Sequence, residues 1–151
     1  MPTSIKQLTV WTENRPGRLA EVAAALGDEN VNIFAFWAGP VGDRWAIRLI
    51  VDEIARAKNT LTQLGWEVSE EDLVAVPLHK PGALRSASKK LETAGMNIEY
   101  AYTGWTGRSE TLYGFLAVTD LEIALKALGS GTKKHLGRQH PVASERLPLA
   151  L

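Results

Sequence analysis

Two six-residue stretches combine side chains and backbone geometry suited to holding a small polar ligand. They are Asn14-Arg15-Pro16-Gly17-Arg18-Leu19 and His79-Lys80-Pro81-Gly82-Ala83-Leu84. Each follows an apolar run and precedes a helical pattern. A proline just inside a helix start has no N–H to leave unpaired, and its φ is already helical. The glycine beside it lets a ligand approach the backbone closely. The N–H groups of the first helical turn, with the helix dipole behind them, suit a carboxylate. Asn14 and His79, with Asn32 and Asn97 downstream, offer directional hydrogen bonds to an α-amino or α-carboxylate group. On this reading φ at Gly17 and Gly82 is negative, and a valine there weakens binding more than stability. Because His79 stands where the first copy has Asn14, the two copies are expected to differ in affinity or pH response.

Each of these residues has a structural explanation when taken singly, since Asn is a common cap and Pro-Gly a common turn. Their joint recurrence argues for more. Asn97-Ile98 lies 65 positions after Asn32-Ile33, as Gly82 does after Gly17. Self-similarity at a fixed offset marks a duplicated unit.

Catalytic chemistry finds little support. No Gly-x-Ser-x-Gly, His-Glu-x-x-His, Walker or dinucleotide-binding fingerprint occurs. With no cysteine there is no thiolate zinc site, disulfide or cysteine nucleophile. His135 and His140 are five apart in a glycine-containing tail, a poor metal spacing, so neither metal nor cofactor is expected. Seventeen basic residues balance 17 acidic ones, which gives no electrostatic footprint for nucleic acid. The RNA-binding version of a small α+β sheet would need a Lys/Arg-Gly-Phe-x-Phe run, which is absent. No apolar stretch approaches the about 18 residues of a spanning helix, and no leader pattern opens the chain. A cytoplasmic protein without membrane contact is the expectation.

The elements that must position the two turns read in order. Residues 5–11 alternate as a strand, and Leu19, Val22, Ala23 and Leu26 form a helical stripe ending near Gly27-Asp28. Residues 31–37 and 45–51 make a hairpin about a turn at 39–43. Ile54, Ala57, Leu61 and Leu64 form a second stripe, Gly65 follows as its C-cap, and residues 66–69 close the unit as a short strand. After a linker of Glu70-Glu71-Asp72 the order repeats: strand 73–78, helix 83–94, strand 97–102, hairpin 104–108, strand 112–118 and helix 121–128. No closing strand follows Leu128. Instead a basic tail begins at Gly129-Ser130-Gly131, and its lysines and arginines are read as a solvated charge run. Trp37, Tyr102 and Trp105 are read as packing residues. Phe34 and Phe36 share the parity of Asn32 and suggest an apolar sheet face able to hold a second copy.

A βαββαβ order is the ferredoxin-like arrangement, an antiparallel sheet with its helices on one face. Together with the Pro-Gly turn and the Asn-Ile start of the second strand, it resembles the ACT domain family, over about residues 4–128 as a tandem pair. The resemblance implies an α+β fold of two such units side by side, a first ACT domain at 1–69, a second at 70–130, and a separate tail at 131–151. It also implies a non-catalytic regulatory or sensor protein that binds a small ligand, most often an amino acid, at ACT–ACT interfaces. The ligand-binding positions it implies are Asn14, Gly17, Arg18, Leu19, Asn32 and Ile33 in the first copy. In the second they are His79, Gly82, Ala83, Leu84, Asn97 and Ile98. A metabolic enzyme as regulated partner and a homodimer complete the expectation. The competing reading is a protein-interaction module that uses the sheet face and takes no small ligand.

Overall fold

The computed structural model describes residues 1–107 and 110–129. It divides into a first unit, Lys6–Glu71, and a second unit, Met1–Ile5 with Asp72 onward. The elements in chain order are β1 (Thr3–Thr12), α1 (Arg18–Asp28), β2 (Ile33–Val41), β3 (Arg44–Val51), α2 (Ile54–Gln63) and β4 (Glu67–Pro77). They continue with α3 (Ala83–Thr93), β5 (Ile98–Gly104), β6 (Tyr113–Val118) and α4 (Leu121–Leu128). Each unit is a ferredoxin-like βαββαβ arrangement, with two helices on one face of an antiparallel sheet.

In the first unit the strand order is β2-β3-β1-β4. Leu8 lies opposite Leu49 and Val10 opposite Ile47. The period of two turns these four side chains toward the helices, where they pack on Val22, Leu26, Ala57 and Leu61. The stripe on α1 is narrower than the sequence suggests. Ala23 is exposed and Leu19 is 37% exposed, and Leu64, just past the end of α2, is also exposed. The second unit repeats the arrangement: Val74, Val76 and Leu116 face Ala87, Leu91, Ala124 and Leu128.

Three local features differ from the sequence reading. The first hairpin turns on Gly42-Asp43 alone, because Gly39, Pro40 and Val41 stay in β2 opposite Ala46, Trp45 and Arg44. β2 is an edge strand, where a proline's missing N–H costs no ladder bond. Second, β2 and β5 each carry a bulge at the same repeat position, between Ile33 and Ala35 and between Ile98 and Tyr100. Third, Glu70-Glu71-Asp72 is no linker, because strands expected at 66–69 and 73–78 are one strand, β4.

A buried polar ladder accounts for that continuity. Gln7 and Thr9 alternate with Leu8 and Val10 on β1, and both are fully buried. Thr9 Oγ1 donates to Glu71 Oε1 at 2.6 Å and Gln7 Nε2 to the same oxygen at 2.9 Å. The Trp11 indole N–H donates to Ser69 Oγ at 3.1 Å, and Ser69 Oγ donates to Glu71 Oε2 at 3.2 Å. Partners descend β4 as they ascend β1, so the strands are antiparallel, and the opening residues of β1 lie beside the later half of β4. Thr3–Ile5 therefore takes the place of the closing strand that the sequence lacks after Leu128. The tail 131–151, with His135 and His140, and Arg108 of the expected second hairpin lie outside the described residues.

Glu71→Ala removes the acceptor of two buried donors and is expected to cost about 2–4 kcal/mol, measured by urea unfolding. The triple change Gln7→Met, Thr9→Val, Glu71→Leu replaces donors and acceptor together and should recover most of that loss. If the single change were as mild as a surface substitution, the ladder would not hold β1 to β4.

Candidate functional site

Both Pro-Gly stretches fold identically. In the first, Arg18 N donates to Arg15 O at 3.4 Å, and Gly17 has φ 91° and ψ −11°. In the second, Ala83 N donates to Lys80 O at 3.1 Å, and Gly82 has φ 89° and ψ −6°. A proline followed by a glycine of this conformation, closed by an i to i+3 bond, is a type II turn. The glycines are thus N-caps in the left-handed region, and Pro16 and Pro81 precede the helices instead of opening them. This corrects the expected negative φ. A side chain at either position is strained whatever space it finds, and around Gly82 a Cβ would meet nothing within 4 Å.

No side chain caps α1 or α3. The first helical bonds are Glu21 N to Gly17 O and Ser86 N to Gly82 O, both 2.9 Å. Among the described residues the N–H groups of Leu19 and Ala20, and of Leu84 and Arg85, have no acceptor. Each turn thus leaves a pair of donors at the positive end of an 11-residue helix.

The structure places the remaining expected residues unequally. Asn14 is exposed and makes no hydrogen bond among the described residues. Asn32 is engaged: its N–H donates to Asp52 Oδ1 at 2.9 Å and its Nδ2 to Oδ2 at 2.8 Å. The position matching Asp52 is Thr119, whose hydroxyl reaches Met96 Sδ at 3.6 Å, and Asn97 is exposed without a partner among the described residues. His79 Nδ1 lies 3.4 Å from Pro77 O. Ile33 is 36% exposed and Ile98 39%, while Leu84 is 51% exposed. Trp37 packs as expected: its ring lies across Gly39, where a Cβ would sit 2.8 Å from it, and the Arg48 guanidinium stacks on it at 4.8 Å. Tyr102 meets Phe115 with ring centroids 5.4 Å apart, whereas Trp105 and Phe36 are exposed.

A cleft of about 790 Å³ adjoins the first turn, among Trp11, Glu13, Arg18, Glu21, Arg44 and Trp66, with Asp43 and Glu67 at its rim. Arg18 straps it. Its guanidinium stacks on the Trp66 ring at 5.2 Å and bonds Glu13 at 2.9 Å and Glu21 at 3.0 Å. Arg44 stacks on Trp11 at 5.1 Å and grips both oxygens of Glu67, at 2.6 and 3.2 Å. A cleft of about 460 Å³ adjoins the second turn, with His79, Lys80 and Lys90 over a floor of Val76, Pro77, Ala87 and Leu128. The acids that hold Arg18 are near it in the chain, Glu13 five residues before and Glu21 three after, whereas its aromatic partner Trp66, just ahead of β4, is distant in sequence and went unread. Among the described residues no cluster of His, Asp or Glu could hold a metal ion, and no helix is long and apolar enough to cross a membrane.

The Arg18 hydrogen bond holds the Glu13 carboxyl below its usual 4.5, assisted by a backbone N–H, and Arg44 does the same for Glu67. A depressed folded-state value means stabilisation that is present above 4.5 and lost as pH falls through the lower folded value. Glu67→Gln should therefore lower the thermal midpoint at pH 7, and progressively less as the buffer is taken below 4.5. A pH-independent loss would place the effect elsewhere.

Comparison with known proteins accords with this architecture. A family model for the ACT domain pair matches residues 3–119. The chain belongs to that family of ACT domain pairs. Protein BT0572 of Bacteroides thetaiotaomicron is similar in structure at a TM-score of 0.73 and 27% identity, over 85% of this chain and 89% of that one. The regulatory subunit of aspartate kinase from Thermus thermophilus, in its ligand-free form, gives 0.58 and 20%, over 85% and 95%. The corresponding Thermus flavus subunit gives 0.54 and 18%, over 85% and 95%. No curated protein matches the chain.

Gly17→Ala and Gly82→Ala are each expected to cost about 1–2 kcal/mol from the left-handed backbone alone, and the valine variants more. Denaturant unfolding measures both. Equal stability of Gly17→Val and wild type would contradict the type II geometry.

Proposed function

We propose that this ACT pair is a non-catalytic regulatory or sensor protein that binds an amino acid at its Pro-Gly turns. The observation that carries the reading is the duplicated turn, which in both units ends in an uncapped helix with two N–H donors free. Both donor pairs belong to exposed residues within reach of solvent, and a carboxylate would satisfy both donors while meeting the favourable end of the dipole. The pairs Leu19 with Ile33 and Leu84 with Ile98 would supply apolar contact, for they are exposed in spite of their composition. Arg18, Asn32 and Ala83 belong to the same motif and shape its surroundings.

We further propose that the sites are completed in a homodimer. Among the described residues β2 pairs with β3 alone, so its other edge can add a strand from another copy. A metabolic enzyme is the partner class proposed, on the strength of the shared fold with the aspartate kinase regulatory subunit.

Thermal melting with a panel of the common amino acids tests the reading. A specific ligand at 100 times its dissociation constant stabilises by about 2.7 kcal/mol. At least one amino acid should raise the midpoint, and light scattering should give twice the chain mass of 16.5 kDa. A flat panel at millimolar concentration would sink the effector role and leave the turns structural.

A further inference from the structure

The two clefts beside the turns have opposite charge. The first is rimmed by four carboxylates, Glu13, Glu21, Asp43 and Glu67, against the guanidinium groups of Arg18 and Arg44. Both of those cations are engaged by acids and by tryptophan rings. The second, lined also by Met1 and Pro2, presents His79, Lys80 and Lys90 and, among the described residues, no carboxylate. Among the described residues Lys80 and Lys90 have no ion-pair partner; the neighbouring Lys89 pairs with Glu92 at 3.0 Å.

The exchanges responsible fall at the repeat spacing itself. Counting 65 positions on, Leu78 stands for Glu13, Ala83 for Arg18, Ser86 for Glu21 and Lys90 for Ala25. The first three remove the strap and its acids, which opens the cleft. The fourth adds an ammonium group to its wall on α3. Below this rim the floor of Val76, Pro77, Ala87 and Leu128 is buried and wholly apolar.

An apolar floor under a rim of ammonium groups selects an anion with a hydrocarbon body. The head group gains charge-assisted hydrogen bonds, and the body covers apolar surface. An amine of the same shape meets like charge and finds no carboxylate. We propose that the cleft of the second unit is a site for a monocarboxylate carrying a short apolar chain, and that the strapped, acidic cleft of the first unit rejects the same ligand. The inference rests on the reading that the turns hold an effector, and narrows it to one turn and one ligand class, for which an α-amino group is dispensable.

Calorimetric titration of the full chain with three related probes tests it: leucine, 4-methylpentanoate, which lacks the amino group, and 3-methylbutylamine, which lacks the carboxylate. The carboxylate should bind at one site per chain and the amine should give no heat. Lys80→Gln and Lys90→Gln should each weaken the carboxylate about tenfold, with Lys89→Gln, the same charge change outside the cleft, leaving it unaltered. Ala83→Arg, which restores the bulk of the strap, should also weaken it. The inference is overturned if the carboxylate fails to bind, if the amine binds as well, if two equal sites appear, or if the cleft lysines matter no more than Lys89. Amino acids that raise the melting midpoint while the lysine variants stay inert would leave the effector role standing and remove this site alone. Binding of 4-methylpentanoate through Lys80 and Lys90 with a flat amino-acid panel would do the reverse.

Discussion

Glu71 places a carboxylate in the middle of β4, against the fully buried Gln7 and Thr9 of β1. A carboxylate there is tolerable only because Gln7, Thr9 and Ser69 all donate to it. The other pairings presuppose this one. β1 lies between β3 and β4 in the first unit, so the sheet onto which α1 and α2 pack closes only when β4 is in place. In the second unit β4 is the strand against which β6 aligns, with Val74 opposite Leu116 and Val76 opposite Gly114. A charged ladder is a selective way to fix register, because a slip of one residue would set Glu71 among Leu8 and Val10.

Much of this was legible in the residues. The turns, the order of elements and the duplication followed from Pro-Gly, from Asn-Ile and from periodicities of 3.6 and two. What escaped was whatever depends on partners distant in sequence. Glu70-Glu71-Asp72 reads as a linker because three acids in a row look solvated, and nothing near them in the chain announces Gln7 and Thr9. The missing closing strand was sought downstream of Leu128, where repeat logic puts it, whereas the opening residues of β1 supply it. Gly17 and Gly82 stand out in the sequence through the repeated Pro-Gly pair, but the positive φ that both adopt was not read from it.

The copies have diverged most where the candidate site lies and least in their frames. Turn geometry, uncapped helix starts and the two bulges are held in common. The side chains around them are not. Asp52 satisfies both Asn32 donors, while Thr119 leaves Asn97 exposed. Arg18 spans its cleft between Glu13, Glu21 and Trp66, and Ala83 spans nothing. A duplicated unit that keeps its backbone and exchanges its charges can alter the chemistry around one turn without disturbing the core.

The pairing of β1 with β4 also sets an order of events for the nascent chain. Thr9 and Glu71 are 62 residues apart. The hairpin of β2 and β3, joined by two residues, can form within microseconds, but β1 gains its second neighbour only after a long loop has closed. Contacts of such separation slow the folding of small domains. Synthesis therefore delivers the first strand early and its partner late, and during that interval the buried side of β1 exposes Gln7 and Thr9 instead of an apolar run. The polar ladder that fixes register in the finished protein thus also keeps the waiting strand hydrated, and a poor template for aggregation, while the ribosome catches up.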